Sequence, residues 1–116
     1  MSTDPHEHVF KTITEAADIP GTLLAYPVGQ VPPLPWFVYE CEDGGDVRAD
    51  DMDYAALPRF RVELFEEGRD TDLEDSIAEA IRAAYGPVDI TESWDAEEHC
   101  RMVDYEFSYT IKEEEE

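Results

Sequence analysis

His99 and Cys100 set an imidazole beside a thiol, the residue types of a nucleophile and its base. Neighbours in a strand point to opposite faces, so the pair is not read as catalytic. His6 and His8 flank Glu7 at the start of a helix, roughly 200° apart around its axis, which places them on different faces and predicts solvent exposure. Glu42-Asp-Gly-Gly-Asp46 resembles a cation loop only superficially. It lacks the alternating oxygen ligands and closing bidentate Glu of a calcium loop, and reads as a turn in which glycines supply positive φ. Pairs of carboxylates are abundant, but with thirty Asp and Glu in 116 residues they arise by chance. There is no Gly-rich phosphate loop, nucleophile elbow or pair of Cys-x-x-Cys motifs. These residues predict no enzyme, no metal site and no cofactor.

Composition bounds the remaining possibilities. A chain of 116 residues with 42% hydrophobic residues and thirteen aromatics can close one core, despite a formal net charge of -22. Lys11 and Lys112 are the only lysines, and six arginines supply the other cations. That excludes a simple electrostatic DNA binder, because phosphate affinity comes from cations that displace counterions. The acidity fits a host with a salty interior, a channel through which DNA slides without sticking, or an inhibitor that imitates DNA. No apolar run approaches the roughly 20 residues of a membrane span, and Met1-Ser-Thr-Asp-Pro-His has neither a basic region nor an apolar core, which predicts an intracellular protein. Cys41 and Cys100 are too few for a disulfide framework and read as buried thiols.

The elements around these residues follow from periodicity. Thr3 or Asp4 before Pro5 starts a helix carrying Val9, Phe10, Ile13, Ala16 and Ala17 at helical spacing, and Ile19-Pro20-Gly21 stops it. Thr22-Leu-Leu-Ala-Tyr26 reads as a brief strand or extended segment ahead of the proline-rich Val31-Pro-Pro-Leu-Pro35 connection. Leu34-Pro-Trp-Phe-Val-Tyr-Glu40 is a strand buried on both faces and is expected at the sheet centre. Its expected partner is Phe60-Arg-Val-Glu-Leu-Phe65, where Phe60, Val62 and Leu64 alternate with polar residues. Between them, Ala49-Asp-Asp-Met-Asp53 reads as an acidic loop ahead of a short Tyr54-Ala-Ala-Leu57 segment. Thr71-Asp-Leu-Glu74 has the form of a capping box before a helix striped with Leu73, Ile77, Ala80, Ile81 and Ala84, closed by Tyr85-Gly86-Pro87. The carboxylates of its first turn read as partners of the helix dipole. Val88 to Trp94 gives a further strand. Val103, Tyr105, Phe107, Tyr109 and Ile111 alternate through the last, from Arg101 onward. Residues 1–112 form one α+β domain in this reading: four strands, antiparallel or mixed, with two helices on one face, and an acidic tail at 113–116.

The order Pro35, Phe37, Val38, Tyr39, then Ala49, Asp50, Tyr54, then Val62, Glu63, Leu64, Asp70 and Glu74, and finally Tyr105 and Glu106, resembles a family of small tail proteins of long-tailed phages and prophages. Those proteins are described as tail-completion, tail-terminator-like or minor capsid proteins, and the resemblance spans roughly residues 34 to 107. Trp36 stands where the pattern has Phe, Asp51 where it has Asn, and the acidity is unusual. The resemblance implies a non-enzymatic structural protein of the head-to-tail junction, present in the virion and in the host cytoplasm during assembly. It implies a homo-oligomeric ring, with a hexamer as one stoichiometry, that meets tail tube and neck proteins. Trp36, Tyr39, Asp50, Tyr54 and Phe65 are the candidate interface residues, combining apolar bulk with polar tips near the matched loop. The reading from a different class is an acidic DNA mimic that inhibits a nucleic-acid-binding protein.

Overall fold

The computed structural model describes residues 4–42, 58–97 and 99–110. Asp50, Tyr54, the acidic loop around them and the expected tail at 113–116 lie outside the described residues. Helix α1, Pro5–Ala17, starts where Pro5 presets helical φ and the Asp4 carboxylate accepts from the His6 amide at 3.1 Å. It ends at Asp18, whose left-handed backbone (φ 56°) returns its N–H to Thr14 O. Strands β1 (Gly21–Leu23), β2 (Trp36–Cys41) and β3 (Arg59–Glu66) follow, then α2 (Thr71–Tyr85), β4 (Val88–Asp95) and β5 (Cys100–Ser108).

The strands form one sheet in the order β1-β2-β3-β5-β4. Pairings are antiparallel except β1 with β2, which run parallel with Gly21 opposite Phe37. A Cβ on Gly21 would run into the Phe37 ring, so only glycine lets β1 approach this closely. β3 and β4 run in the same direction and α2 crosses between them, leaving a slot that β5 fills. The fold class is therefore α+β, but the sheet has five strands rather than the expected four. Its centre is β3, not β2.

The helices lie on one face. Val9, Ile13, Ile77, Ala78, Ile81 and Tyr85 pack against Phe37, Tyr39, Phe60, Val62, Leu64, Val103, Tyr105 and Phe107. The period-2 rows of β3 and β5 and the helix stripes thus meet as their spacing predicts. On the helix-free face, Trp36, Val38, Phe65 and Cys100 form a second cluster with Tyr26, Leu34 and Met102 packed on it. This cluster explains the two-sided burial of β2. Its second face is covered by the connection between β1 and β2 rather than by a layer of helices.

Candidate interface and charged clusters

Trp36 and Phe65 are cross-strand partners whose rings stack with centroids 4.3 Å apart. Both are buried. Tyr39 faces the other way, into the helix-side core beside Phe10 and Phe37. The structure therefore brings two of the five candidate interface residues together and places Tyr39 on the opposite face. All three are core side chains of the single chain. The apolar side chains that reach solvent lie elsewhere, at the two ends of the sheet: Leu23 and Leu24 at β1 with Val28 and Val31 in the following connection, and Ile90 and Trp94 on β4. Trp94 is 62% exposed and Ile90 40%. Their signal in the sequence is ambiguous, because a row of Val88, Ile90 and Trp94 broken by Glu92 looks like a half-buried strand. In the sheet, β4 occupies an edge, and most of its residues are exposed.

Two clusters gather much of the charge. On the helix-free face Arg61 stands among five carboxylates, with Glu106 at 3.2 Å, Glu42 at 3.5 Å, Glu40 and Asp104 at 3.6 Å, and Glu63 at 3.9 Å. One guanidinium cannot neutralise five anions. Burial first, and the charge of Asp104 second, hold the Glu63 carboxyl above the usual range. Asp104 is also raised, by burial and then by its carboxylate neighbours, against the pull of Arg61.

The second cluster joins the sheet to α2. Arg101 Nε lies 2.9 Å from Glu74 and 3.2 Å from Glu66, and its Nη2 lies 3.1 Å from Glu92. Glu66 and Glu74 are buried, and Tyr105 donates to the Glu74 carbonyl at 2.9 Å. Glu74 therefore pairs with Arg101 rather than closing a capping box with Thr71. The helix cap is Asp70, whose carboxylate accepts from the Leu73 amide at 3.1 Å. Burial first, then the hydrogen bond and charge of Glu74, push the Glu66 carboxyl up to about 8. Burial also opposes the charge of Glu74, but its hydrogen bonds with Glu66 and Arg101 and the arginine charges hold it low. Both carboxylates reach the same Arg101 Nε, and one proton on Glu66 relieves the repulsion between them.

The sign of the pH dependence follows. The raised Glu66 contributes stability that is fully present below its ordinary value of 4.5 and lost as pH rises through about 8. The depressed Glu74 acts oppositely, its contribution being lost as pH falls below the ordinary carboxylate range. Urea unfolding at about pH 6 and about pH 9 is expected to show the wild type losing more stability than Glu66→Gln, which keeps a neutral donor toward Glu74. Parallel losses in the two proteins would contradict the protonated Glu66.

His6 and His8 are half-buried rather than solvent-exposed, because α1 packs flat on the sheet. His8 Nδ1 lies 2.6 Å from Tyr85 Oη, which is also 3.1 Å from Thr12 Oγ1, giving a polar tie between the helices. Burial, partly offset by Thr12, drives the Tyr85 hydroxyl well above its usual range. His6 packs edge-on to Phe60. His99 is exposed at φ 55° while Cys100 is buried, so the two adjacent groups do not converge. Among the described residues no three His, Cys, Asp or Glu side chains are grouped to hold a metal ion. No helix among them is long and apolar enough to cross a membrane. No family model matches the chain, and no curated protein or solved structure matches it.

Proposed function

We propose that this chain is a structural subunit of a phage or prophage virion, a tail-terminator or tail-completion protein that forms a ring at the head-to-tail junction. The observation that carries this reading beyond the motif order is the pair of unlike sheet edges. One end of the sheet is the three-residue parallel strand β1 with Leu23 and Leu24 exposed; the other is the eight-residue strand β4 with Ile90 and Trp94 exposed. An edge strand is a template for another chain, and natural proteins blunt such edges or cover them. Joining the β4 edge of one copy to the β1 end of the next is a heterologous contact, and a rotation that closes gives a ring.

The described residues of the motif also have coherent roles. Phe37, Val62, Leu64 and Tyr105 build the helix-side core, Glu74 anchors α2 to Arg101, and Glu63 and Glu106 join the Arg61 cluster. The ring would cap the tail tube and meet the neck of the head, and its negative lumen would let DNA pass without adhesion. Its action is geometric and electrostatic rather than catalytic.

Ile90→Lys tests the edge directly, since a charge on an exposed edge strand opposes strand addition. Light scattering and negative-stain microscopy are expected to show rings for the wild type and monomers for the variant. At low salt, where the wild type is monomeric as well, the thermal midpoint should barely move, because an exposed substitution of this kind costs about 0.5 kcal/mol or less. Rings that persist in Ile90→Lys would remove β4 from the interface.

A further inference from the structure

The connection after β1 folds over the helix-free face and, with β2, β3 and the end of β4, lines a half-open cleft of about 190 Å³. Tyr26, Trp36 and Phe65 form its aromatic side, and Leu24, Ala25, Val31 and Val38 its aliphatic side. Tyr26 meets Trp36 edge to face at 5.4 Å, and Trp36 stacks on Phe65. Two carboxylates, Glu63 from β3 and Asp95 from the end of β4, line the same space, and Leu24 forms part of its rim. Drug-sized ligands occupy cavities of roughly 300–1,000 Å³, so this one suits a single side chain.

We infer that this cleft is a socket for one arginine side chain presented by an extended segment of another protein. An aromatic wall attracts a guanidinium through the negative faces of its rings, and a planar cation can stack there while its N–H groups reach carboxylates. A neutral apolar guest would further desolvate Glu63, which Arg61 approaches to 3.9 Å, and Asp95, whose Oδ1 accepts from the Glu97 amide, without adding a partner to either. The surrounding field favours a cation. Arg61 already sits 3.9 Å from Glu63 and leaves four further carboxylates around itself. Glu63, held above the usual carboxyl range by burial and by Asp104, would regain its charge beside a bound guanidinium. The chain itself has few cations to offer. Four of its six arginines, Arg59, Arg61, Arg69 and Arg101, are in ion pairs within the chain, and the formal net charge is -22, so a protein with a basic surface is the fitting source. The socket does not depend on ring formation and stands on the single subunit.

The test is a titration of the full-length, 15N-labelled protein with N-acetyl-arginine amide, following the indole N–H signals of Trp36 and Trp94. Trp94, at the exposed edge strand, serves as the internal reference. The Trp36 signal is expected to shift saturably while that of Trp94 stays in place. N-acetyl-citrulline amide, the same shape without the charge, should bind about tenfold more weakly or worse, and Asp95→Asn should weaken arginine binding by about fivefold. Glu63→Gln provides an independent second variant with the same expected direction. An unmoved Trp36, equal shifts at both tryptophans, or equal binding of the citrulline compound would overturn the socket.

Discussion

Replacing Arg101 with methionine is expected to destabilise the protein by about 3–5 kcal/mol, the cost of removing one partner from a buried ion cluster. Glu66 and Glu74 have side chains only 3% and 10% exposed, and Arg101 bridges them at 3.2 and 2.9 Å. Without the guanidinium, two buried carboxyls share a single proton at neutral pH, and neither can reach bulk water without moving α2 away from β3 and β5. The loss should be smaller at about pH 5 than at about pH 8, because a second proton then neutralises the pair. The triple change Arg101→Met, Glu66→Leu and Glu74→Leu should recover much of the loss, since an apolar isostere of a whole buried ion cluster is often neutral or better. Urea denaturation of the three proteins checks this. A single variant within about 1 kcal/mol of the wild type would mean that Arg101 is a surface contact and not the tie between α2 and the sheet.

Phe107→Ala is expected to cost about 3–5 kcal/mol. Phe107 is fully buried, with its ring 5.0 Å from Tyr85 of α2 and 6.2 Å from Phe60 of β3. Truncation opens a void between the helix layer and the sheet, and the aromatic neighbours on both sides cannot collapse into it without breaking the Tyr85 contacts to His8 and Thr12. A denaturation midpoint implying less than about 0.5 kcal/mol would show that β5 does not present this row to the core.

Both predictions depend on positions that the sequence reveals unequally. The row Val103, Tyr105, Phe107, Tyr109 is evident because a nine-residue strand with one wet and one dry face alternates cleanly. The second helix is evident from its stripe and its Gly86-Pro87 stop, although the buried face also takes Ala78 and Tyr85. β1 is obscure for a physical reason: three residues carry no measurable period, and their pairing with β2 depends on Gly21 clearing the Phe37 ring. β2 looks central because both its faces are dry, yet one of them is dried by Tyr26 and Leu34 from a connection. True centrality belongs to β3, which hides it by carrying Arg61 and Glu63 on the open face. The role of Glu74 is invisible in one dimension, since nothing in a helix start shows that Arg101 will arrive from β5. Trp36, Tyr39 and Phe65 illustrate the converse: aromatic bulk marks importance without distinguishing core from interface.

Ring formation from subunits of this charge makes a definite demand on salt. Each copy brings a formal charge of -22, so association must overcome repulsion between neighbouring carboxylate surfaces. The Debye length shortens from about 30 Å at 0.01 M salt to about 8 Å at 0.15 M, which removes much of that repulsion while leaving apolar edge contacts such as Trp94 intact. Sedimentation velocity of the wild-type protein from about 20 to about 500 mM NaCl is therefore the most direct measurement. The predicted result is a shift from monomer to one discrete closed oligomer as salt rises. A protein that stays monomeric across the whole range, with the proposed tail and neck proteins also present, would contradict the proposed ring and leave the acidic inhibitor as the better reading.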